Sequence, residues 1–267
     1  MQKIWVCGAR GQIGQAVNDV VDKLEFEMLD TDVDDLDVTD TDEVLRFGEM
    51  NRPDIIINCS GMTDISSCEE NPSQAFKVNA LGARNLAIVA AKMQAKMVQL
   101  STDDVFDGKS TEPYTEFDIT NPGTVYGKSK LAGENYVKEF TTKHFIVRST
   151  WVYGKGQNFI NGFLKKVDAG EQLSIASDQF GSPTSANELA RFLLHLVHTS
   201  EYGTYHATNK GVCSRYAFAQ EILKMTGKTA SMQPVPTVMS DFSKVRPAYA
   251  VLDNFIMSMV PIYDFPD

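Results

Sequence analysis

Cysteine is scarce, cationic side chains are outnumbered and long apolar runs are missing, and each shortage removes a class of function. The cysteines Cys7, Cys59, Cys68 and Cys213 stand far apart with no CxxC pair, and the histidines form no cluster at zinc spacing. Neither a disulfide scaffold nor a structural zinc site is expected, and the cysteines read as reduced thiols, Cys7 and Cys59 at strand ends. With 25 Lys and Arg against 35 Asp and Glu, the formal charge is −10. That balance works against nucleic acid and anionic membranes, which both need a cationic surface. A phosphate-bearing ligand remains admissible, because backbone amides and a few basic groups suffice to hold it. No apolar run approaches the roughly 20 residues that span a bilayer. Met1–Cys7 lacks the basic-then-apolar layout of a signal peptide, so a cytoplasmic protein is expected.

What is present is an ordinary globular composition, 43% apolar over 267 residues, enough to bury a full core. The first half alternates short β-branched runs with helical patterns, which predicts an α/β fold: a Rossmann-type, doubly wound parallel sheet. Strands are expected at Lys3–Cys7, Glu25–Asp30, Asp54–Asn58, Met97–Ser101 and His144–Ser149. Ile13, Val17, Val20, Val21 and Leu24 recur at helical spacing between the first two strands. Asp40 with Glu43, and Ser185 with Glu188, look like helix starts. A long helix should cover Ala75–Met93, and Lys109–Gly123 should be a loop leading into a helix near Val125–Thr141. Shorter helices are expected at Phe159–Ala169, Ala186–His198 and Tyr216–Thr226. The expected organisation is a cofactor domain over 1–150 and, from 151 to 267, a smaller C-terminal substrate-binding lobe. Segments near 185–208 should return to the first domain.

Gly8-Ala9-Arg10-Gly11-Gln12-Ile13-Gly14 follows the first strand and opens the first helix. Gly8 suits a tight turn, Gly11 close approach of backbone to a pyrophosphate, and Gly14 close helix–strand packing. The helix N-terminus adds free N–H groups and partial positive charge. Gly8, Arg10, Gly11, Gln12, Ile13 and Gly14 are therefore candidates to bind NADPH or NADH. Asp30, closing strand two, suits the ribose hydroxyls and NADH, whereas Arg10 suits a 2′-phosphate and NADPH, and the two leave the preference open. Asp37 and Val38 are placed to flank the adenine.

Tyr126 and Lys130 stand four apart on a predicted helix, so they share a face. A phenol with a pKa near 10 exchanges protons poorly at neutral pH, and a nearby ammonium stabilises its phenolate. The pair thus reads as catalytic, with Lys130 also reaching the nicotinamide ribose. Ser101-Thr102-Asp103 lies at the carboxyl edge of the sheet, where such folds bind ligands. Thr102 is placed to hold a carbonyl, Asp103 and Asp104 lie on the substrate side, and Ser101 lies on the cofactor side. Cys59, Ser60 and Gly61 leave strand three at the same edge, and the Asn79 amide, disfavoured inside a helix, can serve the site.

Together these residues resemble the extended short-chain dehydrogenase/reductase family, in the branch that reduces dTDP-linked 4-keto-6-deoxy sugars. The match runs through GARGQIG, Asn58-Cys59, Val78-Asn79-Ala80, Ser101-Thr102-Asp103, VYGKSK (125–130), STWVY (149–153), DQFGSPT (178–184) and Arg246-Pro247. The resemblance implies NAD(P)H-dependent reduction of dTDP-4-dehydrorhamnose to dTDP-L-rhamnose, a precursor of cell-surface polysaccharide. It also implies Tyr126 as proton donor, Lys130 as its partner, Thr102 as a substrate contact, Trp151 as a wall of the sugar pocket and Arg246 toward the diphosphate. Asp104 and Met62 stand where the family usually carries tyrosine, so the accepted sugar or nucleotide is expected to differ. Ending at Asp267, the chain is expected to be a shortened member or an incomplete one. Ala16 replaces the carboxylate through which some relatives dimerise on a metal, so no metal is expected, while a homodimer stays open. Two other readings are a sugar-nucleotide dehydratase or epimerase, because Thr102-Asp103-Asp104 is similar to the Thr-Asp-Glu of dehydratases, and a non-catalytic NADP-binding regulatory subunit.

Overall fold

Apolar β-branched residues on both faces of each early strand demand cover on both sides, and the computed structural model, which describes residues 1–239, 247–260 and 262–267, supplies it. Five strands, β1 (Gln2–Cys7), β2 (Phe26–Thr31), β3 (Ile55–Asn58), β4 (Lys96–Thr102) and β5 (His144–Ser149), join an edge strand Gly203–His206. Every pairing is parallel, in the order edge strand, β5, β4, β3, β1, β2. The chain steps outward from β1 to β2 and then back across to β3, so a switch point opens beyond the carboxyl ends of β1 and β3. Open α/β sheets bind their ligands in such a crevice.

One face carries Ile4, Val6, Ile57 and Val147 against α1 (Gln12–Val20) and the helix Ala186–His198, through Val17, Leu189, Phe192 and Leu193. The other carries Trp5, Ile56 and Met97 against α2 (Thr41–Asn51) and the helices Ala83–Met93 and Val125–Phe140. Asp40 caps α2 by accepting from the Asp42 and Glu43 N–H groups, and Ser185 caps Ala186–His198 through Glu188 N–H.

One expectation needs correction. The first helix stops at Val20, because Asp22 folds the chain into a turn, accepting from Leu24 N–H at 2.8 Å, and this leaves Leu24 92% exposed. The helix expected over Ala75–Met93 is there, continuous from Pro72 to Met93, and carries within it a widened π-type stretch at Lys77–Gly82 that no periodicity announced. Strand ends also move slightly: β2 runs from Phe26 to Thr31, one residue past Asp30, and β4 reaches Thr102.

Beyond Trp151, helices Phe159–Asp168 and Arg215–Thr226 pack on the parallel pair Leu173–Ala176 and Met232–Val235 around Phe163, Ile175 and Ile222. The intervening helix Ala186–His198 packs on α1, and Gly203–His206 extends the main sheet. Among the described residues no helix is long and apolar enough to cross a membrane.

Candidate active site

The glycine turn is held to its neighbours by contacts that only glycine permits. Gly8 adopts φ +75°, and a Cβ there would lie 2.8 Å from the Ser60 nitrogen, so the turn rests directly on Cys59–Ser60. A Cβ on Gly14 would lie 2.3 Å from the Gly8 carbonyl oxygen, which presses α1 onto the turn. Gly11 is the N-cap of α1 and supplies no side-chain cap, so the first amides of the helix remain available to an anion. This is the cradle a dinucleotide pyrophosphate requires. Gln12 points its amide toward the lobe, where its Oε1 accepts from Asn158 Nδ2 at 3.3 Å.

Toward β2 the surroundings are acidic. The Arg10 N–H donates to Asp32 Oδ2 at 2.8 Å, and its guanidinium pairs with Asp34 and Asp35 at 3.2 Å each. Asp30 is exposed, while the next residue, Thr31, turns inward to accept from Trp5 Nε1 at 2.8 Å. Asp37 is also exposed, its Oδ1 capping the Thr39 N–H. Val38 is 9% exposed and belongs to the Trp5 core, where its Cγ2 crowds Gly82.

Beside the switch point three segments converge on the helix Val125–Phe140. The Asn79 amide, buried in the π-type stretch, binds both backbone groups of Met62 (2.8 and 2.9 Å) and Ser129 Oγ (2.9 Å). Asn79 thus ties the loop after β3 to the helix bearing Tyr126, and a π-bulge at such a place is a common mark of function. A Cβ on Gly61 would lie 3.1 Å from Asn79 Oδ1 and 3.7 Å from Lys130 Nζ, so Gly61 borders the lysine. At Gly127 a Cβ would lie 2.0 Å from the Asp104 carbonyl oxygen. That contact sets Tyr126 beside the end of β4, where Thr102 Oγ1 donates to Asp103 Oδ1 (3.0 Å) and accepts from Asp104 N–H (3.2 Å). Asp103 and Asp104 are themselves buried.

Lys130 is 5% exposed, with no ion pair among the described residues. Burial pulls its ammonium down to about 8, against the opposing pull of Glu134 and Cys59. Burial pushes the Cys59 thiol up to about 12, which keeps it neutral. The Ser101 hydroxyl, expected on the cofactor side, donates instead to Glu134 Oε1 at 2.5 Å, beneath the helix. Trp151 occupies left-handed backbone, φ +46°, a strained conformation for a bulky residue, worth about 1–3 kcal/mol. The Arg215 guanidinium stacks 3.4 Å from its ring centre, and a Cβ on Gly181 would lie 2.5 Å from the ring. Arg246 lies outside the described residues.

Sequence reasoning gave no role to Gly127, quoted only within VYGKSK, and passed over Gly133, Glu134, Arg148 and Arg215. The signal was there for some of them: two glycines six apart in one helix mark a close approach, and a Cβ on Gly133 would lie 2.4 Å from the Asn79 carbonyl oxygen. Glu134, one turn beyond Lys130, is a carboxylate on the buried face.

Comparison with known proteins finds similarity over nearly the whole chain. A family model described as RmlD substrate binding domain matches residues 1–263. The spore coat polysaccharide biosynthesis protein SpsK of Bacillus subtilis is 35% identical over 255 residues, covering 95% of this chain and 90% of that protein. A crystal structure of a dTDP-4-dehydrorhamnose reductase from Clostridium acetobutylicum is 40% identical, with a TM-score of 0.96, covering 99% of this chain and 95% of that one. The dTDP-4-dehydrorhamnose reductase of Bacillus anthracis, solved in complex with NADP, is 36% identical with a TM-score of 0.97, covering 100% and 96%.

Proposed function

We propose that this chain, which belongs to the RmlD substrate binding domain family, is an oxidoreductase that reduces dTDP-4-dehydrorhamnose to dTDP-L-rhamnose with NADPH or NADH. The observation that carries the reading is the seating of Gly127 on the Asp104 carbonyl, which brings the Tyr126–Lys130 helix against the end of β4, one strand from the switch point. In this reading Gly8, Arg10, Gly11, Gln12, Ile13 and Gly14 hold the pyrophosphate, and Asp30, Asp37 and Val38 border the adenosine. Cys59, Ser60, Gly61 and Asn79 line the path toward Lys130, and Ser101 serves from below through Glu134. Residues 1–150 form the cofactor domain, and most of 151–267 encloses the sugar nucleotide, with Trp151 as a wall. NAD(P)H is a cytoplasmic reductant, so this reading puts the enzyme in the cytoplasm.

The dinucleotide, when bound, supplies the hydride. Tyr126 then gives its phenolic proton to the oxygen on which charge develops, a stabilisation that grows toward the transition state. Lys130, with its charge close by, stabilises the phenolate left behind. Thr102 turns its hydroxyl from Asp103 to the substrate oxygen and orients it. Asp104 and Met62 leave the sugar side without the hydroxyls of two tyrosines.

The test is consumption of NADH or NADPH by the purified protein on dTDP-4-dehydrorhamnose. Tyr126→Phe should lower kcat by roughly 10²–10⁴-fold while cofactor affinity stays near wild type. Near-normal turnover by that variant would refute the mechanism, and a wild-type protein that binds cofactor yet turns over no sugar nucleotide would favour a regulatory subunit.

A further inference from the structure

One residue beneath the catalytic edge, a polar row crosses the sheet. Ser101 of β4 faces Arg148 of β5, and Arg148 faces His206 of the edge strand. Glu134 descends onto this row from the helix of Tyr126 and Lys130, and it is fully buried. Arg148 grips both carboxylate oxygens, Nε to Oε1 at 2.9 Å and Nη2 to Oε2 at 2.7 Å, and Ser101 adds its hydroxyl at 2.5 Å. Lys138 approaches from the helix surface at 3.7 Å. Burial alone would raise the Glu134 carboxyl, but the hydrogen bonds and charge of Arg148, with Ser101 and Lys138, hold it below its ordinary range. A buried ion pair of this kind is a weak source of stability.

Lys130 stands one turn before Glu134, on the same helix face. The titratable groups gathered about this helix are Cys59 just past β3, Glu69 on its first N–H, Asp103 and Asp104 just past β4, Arg148 of β5, His206 of the edge strand, and Tyr126, Lys128, Glu134, Tyr136, Lys138 and Glu139 of the helix itself. Of these, Glu134 and Cys59 bear on the Lys130 charge, and the thiol is neutral. Glu134 is therefore the anion that offsets the cost of burying the ammonium.

We propose that Glu134 is a positioning residue of the reaction: clamped by Arg148 and Ser101, it keeps Lys130 charged beside Tyr126 and fastens their helix to the strand ends that carry Thr102. Its effect on kcat rests on the reductase reading, whereas the charge state of Lys130 does not.

Glu134→Gln removes the charge and keeps the shape. The Lys130 titration, followed by NMR in protein carrying ¹³C-lysine and assigned by its loss in Lys130→Met, should move at least about one unit lower. The alkaline limb of kcat should move with it, a roughly tenfold loss above the new value, with turnover near wild type at lower pH. Should Glu134→Gln not fold, Glu134→Gln/Arg148→Met removes the ion pair as a unit, a replacement such sites tolerate, and carries the same readout. An unmoved Lys130 titration in either folded variant overturns the proposal. A moved titration in a protein that reduces no sugar nucleotide upholds the hold of Glu134 on the Lys130 charge and removes the reductase reading, and with it the effect on kcat.

Discussion

Gly127→Ala is the smallest change that should disable the site, because it adds one methyl group where none fits. The new Cβ would lie 2.0 Å from the Asp104 carbonyl oxygen, and that neighbour is backbone, not the end of a flexible side chain. An ordinary C···O contact is about 3.3 Å, so helix and strand end must part by about 1.3 Å. Alanine favours a helix over glycine by about 1 kcal/mol, but overpacking costs typically 1–3 kcal/mol, so the variant should fold with a modest loss of Tm. The helix carries Tyr126 one residue away, and a misplacement of 1 Å can cost about 10²-fold in rate. We expect kcat on dTDP-4-dehydrorhamnose to fall by about that factor, with NAD(P)H affinity changed much less, since the glycine turn lies on α1. Gly162→Ala is the control: it lies in the helix Phe159–Asp168 with nothing within 4 Å of its Cβ, and should gain roughly 0.5–1 kcal/mol. A folded Gly127→Ala protein with wild-type kcat would show that the Asp104 contact does not place Tyr126.

The cofactor turn should respond to the position of each glycine. At Gly11→Leu the new Cβ meets only the Gly8 oxygen, at 3.2 Å, so the protein should fold and lose cofactor binding by calorimetry, and retained affinity would mean the pyrophosphate lies elsewhere. Because Asp34 and Asp35 hold the Arg10 guanidinium at 3.2 Å, Asp34→Asn/Asp35→Asn should release it and raise the NADPH over NADH ratio of kcat/KM, while Arg10→Ala should lower it. An unchanged ratio in both would remove Arg10 from ribose recognition. His206 is fully buried, and burial first, then the Arg148 charge, pull its pKa down to about 3, against the Tyr114 and Asp253 carbonyls on Nδ1. The unfolded chain takes up a proton as pH falls through about 6.5 and the folded chain does not, so stability is full above that value and drains below it, by about 2 kcal/mol at pH 5. His206→Gln should flatten that acid limb in denaturant titrations, and an unaltered limb would assign it to other groups.

The sequence by itself determined whatever depends on near neighbours. Alternating β-branched runs and helical stripes announced a parallel sheet covered on both faces, because period and burial are local properties of a strand or a helix. Gly8, Gly11 and Gly14 between a strand and a helix announced a phosphate cradle, and the four-residue interval put Tyr126 and Lys130 on one face. Tertiary structure alone decided what depends on partners far along the chain. The π-type stretch at Lys77–Gly82 widens the helix expected over Ala75–Met93, and there Asn79 clasps Met62, 17 residues earlier, and Ser129, 50 later. Arg148 looked like one residue of an ordinary strand, and only the register of β4, β5 and the edge strand lines it up with Ser101 and His206 under Glu134. Ser101 turned from the cofactor to that carboxylate for the same reason. Trp151 in left-handed backbone and the short strands of the lobe follow no periodicity, since they are imposed by Arg215, Gly181 and other residues that reach them only when the chain has folded.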